Sequence, residues 1–330
     1  MFNQLGVDVI FSVCCLVFYF FVVALIVSKR TNKYILALLL WHPVNIFAVP
    51  LVLTALAIFP VWLRGRLDLV FILATIIYVL IPTKLVFEVG CGITVKNKNV
   101  FWREMLAIFC LWLPIEIATT TNWLKYYLGE ATHVIGWGVP SLLGLMLFFV
   151  FRDSAGMRFR CSLKKIDLIN FILGFVAAVI ILIPTALAFG FMGEAMDIRD
   201  VSLGKVLVSF VWIFFGVALV EEFLFRSLIQ NWLMQKFGES NKILFLAAMI
   251  FGLSHLNNGP HALPNWRYAI IATFAGFIYG KVFQRSSTII SSAAVHAAVN
   301  TARHNFFSKP ASLDKIPEWM NNLAAMMGLG

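Results

Sequence analysis

The chain has 330 residues, of which 61% are hydrophobic and 13% are charged. Ordinary soluble domains carry about 25% charged residues, so this composition excludes a soluble globular protein. The formal net charge of +10 does not indicate nucleic-acid binding, because the basic residues lie in short loops between apolar runs. Such a distribution is typical of the cytoplasmic loops of membrane proteins. The five cysteines show no CxxC spacing and predict neither a disulfide framework nor a metal site.

Long charge-free runs predict an all-α fold, a polytopic transmembrane helical bundle of about 8–11 spans. The first run, residues 9–28, is about twice as long as the apolar region of a signal peptide and predicts a transmembrane helix. The second run, 34–63, contains three prolines and is long for one helix but short for two. Further spans are expected near residues 69–87, 104–123, 132–151, 168–193, 206–229, 243–257, 268–284 and 286–304.

A basic loop near residue 160 suggests the only domain boundary. Residues 1–160 are interpreted as an N-terminal transmembrane region of unknown role, residues 165–305 as the functional domain, and residues 306–330 as a C-terminal tail. The second group of spans contains nearly all the intramembrane polar residues. Because the loops carry an excess of Lys and Arg, we expect a multi-pass protein of the cell's inner or plasma membrane.

The sharpest signal is a run of charges inside one apolar segment, with Glu221, Glu222 and Arg226 following a charge-free stretch. Each charge at the centre of a membrane helix costs about 2.5–3.5 kcal/mol on insertion scales, so three of them require compensation. In an α-helix Glu222 and Arg226 are i,i+4 neighbours with the acid first, which favours an ion pair. Glu221 lies about 100° away without a local cation, which suits a general acid or base. A helix end with solvated charges is the alternative.

Two later segments add polar residues to apolar helices. Phe251 and His255 end a short apolar run, and His296 and Asn300 are i,i+4 neighbours on one face of the last run. Taken singly, each is a weak signal, because a lone histidine is more often a packing residue and an asparagine can join helices by hydrogen bonding.

Taken together and in this order, the three patterns Glu-Glu-x-x-x-Arg, Phe-x-x-x-His and His-x-x-x-Asn resemble those of a known family. It is the CAAX-protease and bacteriocin-processing family of intramembrane endopeptidases, which includes the Ras-converting enzymes. The resemblance covers about residues 165–305 and leaves residues 1–160 without a recognisable motif. The matching positions are Glu221, Glu222, Arg226, Phe251, His255, His296 and Asn300.

The resemblance implies a role for each residue. Glu221 and His255 would activate a water for attack on a peptide carbonyl, and His296 and Asn300 would stabilise the oxyanion, a task that suits preorganised donors in a low dielectric. Glu222 and Arg226 would orient the first motif. The implied activity is hydrolysis of a peptide bond in a membrane-associated protein or peptide. The substrate and its cleavage site stay open.

Three alternatives to this interpretation remain. Glu221, His255 and His296 could instead bind a catalytic zinc, but no HExxH is present, and we favour a glutamic-type mechanism without a cofactor. The same fold could also serve as a non-catalytic scaffold or immunity factor. A transporter is less favoured, because the chain shows no two-fold internal symmetry of broken helices. The expected partners are a membrane-anchored substrate and the lipid bilayer, with no nucleic acid.

Overall fold

The structure, a computed structural model, describes residues 4–91, 100–154, 156–159, 163–197, 199, 201–258 and 264–308. These residues are almost entirely helical, and the one extended pairing found among them is an isolated antiparallel bridge between Ala195 and Phe307. This confirms the all-α helical bundle that the sequence predicts.

The N-terminal helices run as far as residue 151. Their bounds are α1 (Gln4–Val27), α2 (Lys29–Trp41), a 3₁₀-helix (Pro43–Phe47), α3 (Ala48–Leu63), α4 (Leu69–Val89), α5 (Val100–Thr120), α6 (Trp123–Leu128), a 3₁₀-helix (Gly129–Ala131), α7 (Thr132–Gly144) and a π-helix (Leu145–Phe151).

The remaining helices begin at residue 165. Their bounds are α8 (Lys165–Ala188), α9 (Leu203–Ile213), a π-helix (Phe214–Ala218), α10 (Leu219–Glu222), a π-helix (Phe223–Gln230), α11 (Asn231–Phe237), α12 (Asn241–Leu253), α13 (Trp266–Arg285) and α14 (Ile290–Phe306).

Five helices in the described part of the chain are long and apolar enough to cross a membrane: Asn45–Leu63, Leu69–Val89, Val134–Phe151, Lys165–Ala188 and Leu203–Phe237. A sixth span results if Val13–Val27 and Thr31–Trp41, which meet at 82°, count as one broken span. The protein is therefore an integral, multi-pass membrane protein.

This number is lower than the sequence-based estimate, although helices occupy all the predicted positions. Helix α5 carries three charges, α12 has 13 residues, and α13 and α14 are interrupted by polar and basic side chains. Length and hydropathy alone do not assign such helices as spans. The run 34–63 is not one continuous helix, because α2 ends at Trp41 and the 3₁₀-helix Pro43–Phe47 precedes α3.

The chain forms two compact units. The first comprises residues 1–159 with 226–231, and the second comprises 160–225 with 232–330. The proposed functional division near residue 160 stays a prediction. Of the predicted tail, residues 309–330 lie outside the described residues.

Small residues bring α12 and α13 of the second unit together. A Cβ atom on Gly252 would lie 2.5 Å from the carbonyl oxygen of Ala269, and one on Gly276 would lie 3.2 Å from the Cα of Ala248. Such distances leave no room for a larger residue, so this close packing depends on glycine at both positions. The aromatic residues at the end of α12 are thereby held against α13.

A buried aspartate fixes the turn that leads into α14. Asp167, at the start of α8, accepts hydrogen bonds from the backbone N–H and the hydroxyl of Ser287 at 2.6 and 2.7 Å. Asn170, one turn later, donates to the carbonyl of Arg285 at 2.9 Å. These bonds tie α8 to the junction of α13 and α14, and therefore fix where α14 begins.

Candidate functional site

The two glutamates lie in a short α-helical segment with irregular helix on both sides. Leu219–Glu222 is preceded by the π-helix Phe214–Ala218 and followed by the π-helix Phe223–Gln230. A π-helical turn holds one residue more than an α-helical turn, and such turns are frequent at functional sites. The α-helical spacing on which the predicted Glu222–Arg226 pair depends therefore ends at Glu222.

Glu222 bonds to the histidine of the third motif. Its Oε1 lies 3.2 Å from Nδ1 of His296, and neither side chain is more than 5% exposed. Because an ionised carboxylate only accepts hydrogen bonds, Nδ1 is the donor. Nε2 then becomes the ring nitrogen available for chemistry, and it lies 3.9 Å from Oε2 of Glu221. The two glutamates therefore face opposite nitrogens of one imidazole ring.

The side chain of His255 is held by groups of the preceding helical turn. Its Nδ1 lies 2.8 Å from the carbonyl oxygen of Phe251 and 3.1 Å from the hydroxyl oxygen of Ser254. The Ser254 hydroxyl donates to the same carbonyl at 2.7 Å. Since a carbonyl oxygen only accepts, Nδ1 carries the proton, and Nε2 of the neutral ring is an acceptor. This is the tautomer that a general base requires.

Aromatic rings connect the two histidines. The Phe251 ring lies 4.7 Å from the His255 ring and 6.0 Å from the His296 ring, in edge-on arrangements. Tyr279 stacks on His296 with ring centroids 4.8 Å apart and planes 18° apart, and Tyr268 packs edge-on against His255 at 4.6 Å. Both imidazole orientations are therefore set by packing as well as by hydrogen bonds.

These side chains surround a pocket in the second unit. Its walls are mostly apolar and come from α8, α13 and α14 together with the ends of neighbouring helices. The polar side chains that line it are His255, Tyr268, Tyr279, His296, Asn300 and Arg303. An apolar pocket with a few convergent polar groups is the usual form of a small-molecule or peptide site.

The structure brings five of the six predicted site residues together in the second unit: Glu221, Glu222, His255, His296 and Asn300. Arg226 is fully buried and belongs to the first unit. Its predicted ion pair with Glu222 stays a prediction, as do the catalytic roles of Glu221, His255, His296 and Asn300 and the orienting roles of Glu222 and Arg226.

Helix α12 is only 13 residues long, about 20 Å, and His255 follows it in a turn. Through Phe251, this turn lies against the same His296 ring that Glu221 approaches.

Sequence reasoning missed three pocket residues, Tyr268, Tyr279 and Arg303. Helical periodicity was the available signal. The two tyrosines are eleven residues apart, almost a whole number of turns, and therefore share one face of α13. Arg303 is seven residues after His296, which places it on the same face of α14.

The zinc alternative required Glu221, His255 and His296 as joint ligands. No three His, Cys, Asp or Glu side chains among the described residues are grouped as a metal site. The zinc alternative stays a prediction, and no step below involves a metal.

One comparison with known proteins finds a match. Residues 203–302, a segment of 100 residues, match the family model described as type II CAAX prenyl endopeptidase Rce1-like. No curated protein and no solved structure matches the chain. The family match confirms the resemblance that the three motifs indicated. It supports an intramembrane endopeptidase of the CAAX-protease type in general and assigns no catalytic residue.

Proposed function

We propose that the protein hydrolyses a peptide bond of a membrane-associated protein or peptide in the pocket of the second unit. The observation that carries this proposal is the convergence of three motifs from separate helices: Glu221 lies against His296, and His255, His296 and Asn300 line one pocket. Peptide hydrolysis at membrane depth requires polar groups enclosed by protein, and inward-facing side chains of several helices supply them.

The first step is the attack of water on the scissile carbonyl carbon. Nε2 of His255 takes one proton from the water, the carboxylate of Glu221 orients the same water by accepting a hydrogen bond from it, and the water oxygen bonds to the carbon. The orientation of His255 supports this role, because its Nδ1 proton is engaged by the Phe251 carbonyl. General base catalysis of this kind contributes about 10²–10⁴-fold to a rate.

The second requirement is a donor set for the oxyanion that forms as the carbonyl electrons move to oxygen. The amide N–H of Asn300 and Nε2 of His296 would donate to it. Since Nδ1 of His296 donates to Glu222, a donating Nε2 requires that the ring carry both protons. The positive charge of the His296 ring would then face the carboxylates of Glu221 and Glu222. Collapse of the intermediate breaks the C–N bond, and the proton taken from water passes to the leaving nitrogen.

Glu222 is a positioning residue in this scheme, because it holds the imidazole of His296 and is itself fully buried. Tyr279 restrains the same ring from one face. Preorganised donors of this type cost no reorganisation in the transition state, and the loss of one costs about 10²–10³-fold in rate.

The test is cleavage of membrane-anchored peptides by the purified protein in lipid vesicles, with products identified by mass spectrometry in H₂¹⁸O. We expect one ¹⁸O in the new terminal carboxylate, and loss of the product in Glu221→Ala and in His255→Ala. Cleavage that persists in both variants would show that the assigned site is wrong. No cleavage by the folded wild type would favour the scaffold.

The same assay separates the two chemical mechanisms. Activity that survives a chelator agrees with the metal-free mechanism proposed above. Activity that is lost on chelation and returns with added zinc would instead favour a metalloprotease.

A further inference from the structure

A basic side chain enters the pocket and has no part in the hydrolysis proposed above. Arg303 lies on α14, three residues after Asn300 and seven after His296, and all three line the same pocket. In an α-helix these offsets place the three side chains along one stripe. The guanidinium therefore belongs to the same surface as the two predicted oxyanion donors.

Aromatic rings support the guanidinium of Arg303. Its Cζ lies 4.3 Å from the centre of the Phe191 ring and 5.9 Å from that of the Tyr268 ring. Contact with ring faces fixes the plane of an arginine side chain, while its N–H groups, which lie in that plane, remain able to donate. The arrangement presents a rigid fork of donors and a full positive charge.

Arg303 differs from three other arginines, which form ion pairs with carboxylates. Arg103 pairs with Glu88, Arg152 with Glu104 and Arg199 with Asp197, each at 3.2 Å or less. Within the described part of the chain, no carboxylate forms an ion pair with Arg303, which contacts the rings of Phe191 and Tyr268 and the Tyr268 hydroxyl. A cation in a mostly apolar pocket indicates a ligand that brings the negative charge.

We propose that Arg303 is a specificity-determining residue that binds a carboxylate group of the substrate peptide. This inference rests on the proposed peptidase function. A planar guanidinium matches a carboxylate in shape and can bind both of its oxygens. Helix α14 rises about 10 Å between His296 and Arg303, which corresponds to about three residues of extended peptide. The carboxylate therefore lies within about four residues of the scissile bond.

Two sources of this carboxylate are compatible with the geometry: the free C-terminus of the substrate or an acidic side chain. Three membrane-anchored peptides of the same core sequence distinguish them. The first ends in a free acid, the second ends in an amide, and the third ends in an amide but carries a glutamate at the same distance from the scissile bond.

In the wild type we expect kcat/KM to be about 10- to 100-fold higher for a carboxylate peptide than for the neutral amide, mainly through a lower KM, because a hydrogen-bonded charge is lost in the amide. Preference for the first peptide identifies a free C-terminus, and preference for the third identifies an acidic side chain. In Arg303→Gln the ratio between acidic and neutral peptides should fall to about one, and Arg303→Lys should retain part of it.

Arg267 offers a matched control. It is a neighbouring arginine at the start of α13, it contacts the carbonyl of Phe189 at 3.5 Å, and it is not among the residues that line the pocket. Arg267→Gln should keep the wild-type ratio. A wild type that cleaves acidic and neutral peptides equally, or an Arg303→Gln variant that keeps the wild-type ratio, would overturn the inference and leave the peptidase function standing. A folded wild type that cleaves none of these three peptides and none of the membrane-anchored peptides in the H₂¹⁸O assay would refute the peptidase function itself.

Discussion

Both units of the molecule contain buried charges, but the two sets are satisfied in different ways. In the first unit, Arg152 donates from Nε and Nη2 to Glu104 at 3.2 and 2.9 Å, and from Nη1 to the carbonyl of Gly90 at 2.9 Å. All three nitrogens of the guanidinium are engaged, and both side chains are about 5% exposed. This pair neutralises itself within the packed unit.

In the second unit, the charged and polar groups surround a pocket. Nε2 of His296 lies 3.9 Å from Glu221, which is too far for a hydrogen bond, and His255, His296 and Arg303 line the same pocket. Polar side chains gathered around a mostly apolar pocket can act on a ligand bound there. A buried charge is therefore evidence of function only where its polar atoms converge on a pocket rather than on each other.

The largest effect that separates the two units is expected at His255. His255→Gln keeps a polar side chain of similar length but removes the proton acceptor, so cleavage should fall by about 10²–10⁴-fold. Thermal unfolding in detergent should change little, since the residue lies in a turn after α12. A rate that stays within threefold of the wild type would remove His255 from the mechanism.

The opposite behaviour is expected for the ion pair of the first unit. Glu104→Gln leaves the Arg152 guanidinium buried without its counter-charge, which should destabilise the protein by about 3–5 kcal/mol in a detergent-unfolding titration. The double variant Glu104→Gln/Arg152→Met should recover part of this loss, because no uncompensated charge remains. The activity of the folded fraction should not change. A selective loss of activity without a loss of stability would assign this pair a functional role.

The third effect concerns the oxyanion donor. Asn300→Ala should lower kcat by about 10²–10³-fold with little change in KM, because the bond forms only in the transition state. Asn305→Ala, a variant further along α14 whose side chain donates to the carbonyl of Thr301, serves as the control. An equal loss in both variants would indicate damage to α14 instead of loss of a catalytic donor.

The smallest expected effect is a pH dependence in the first unit. The backbone N–H of Phe71, and then the hydroxyl of Tyr127, lower the pKa of Asp68 below its ordinary value of 3.8. A lowered pKa in the folded state means that the carboxylate stabilises the fold above its ordinary pKa, and that this contribution is lost as the pH falls through the folded value. Asp68→Asn keeps a capping oxygen for α4 but removes the charge.

The midpoint of thermal unfolding of the wild type should therefore exceed that of Asp68→Asn by a constant amount at neutral pH. The difference should shrink below about pH 4. A difference that grows on acidification would contradict the assignment of these hydrogen bonds.

The sequence predicted the helical fold and the members of the site from one-dimensional signals. Charge-free runs marked the helices, and the paired spacings of His255 with Phe251 and of His296 with Asn300 marked the site. These signals are informative because membrane burial makes each polar residue costly, so that few polar residues remain without a reason.

Three features could not be inferred in this way. The π-helical turns on both sides of Leu219–Glu222 change the residues that face each other, and no composition signal marks them. The bond between Glu222 and His296 joins residues 74 positions apart. In the described part of the chain, fewer helices pass a test of length and hydropathy than the sequence predicts as spans, because helices such as α12 are apolar but short, and their ends are set by tertiary packing.

The central claim is that the second unit's pocket performs the chemistry while the first unit's ion pair only stabilises the fold. The most direct test measures cleavage rate and unfolding midpoint for Glu221→Gln and Glu104→Gln in parallel, in the same vesicle and detergent preparations. We expect Glu221→Gln to lose at least about 10²-fold in cleavage rate at an almost unchanged unfolding midpoint. We also expect Glu104→Gln to lose stability while its folded fraction keeps the wild-type cleavage rate. Wild-type cleavage by Glu221→Gln, or the same combined loss in both variants, would contradict the central claim.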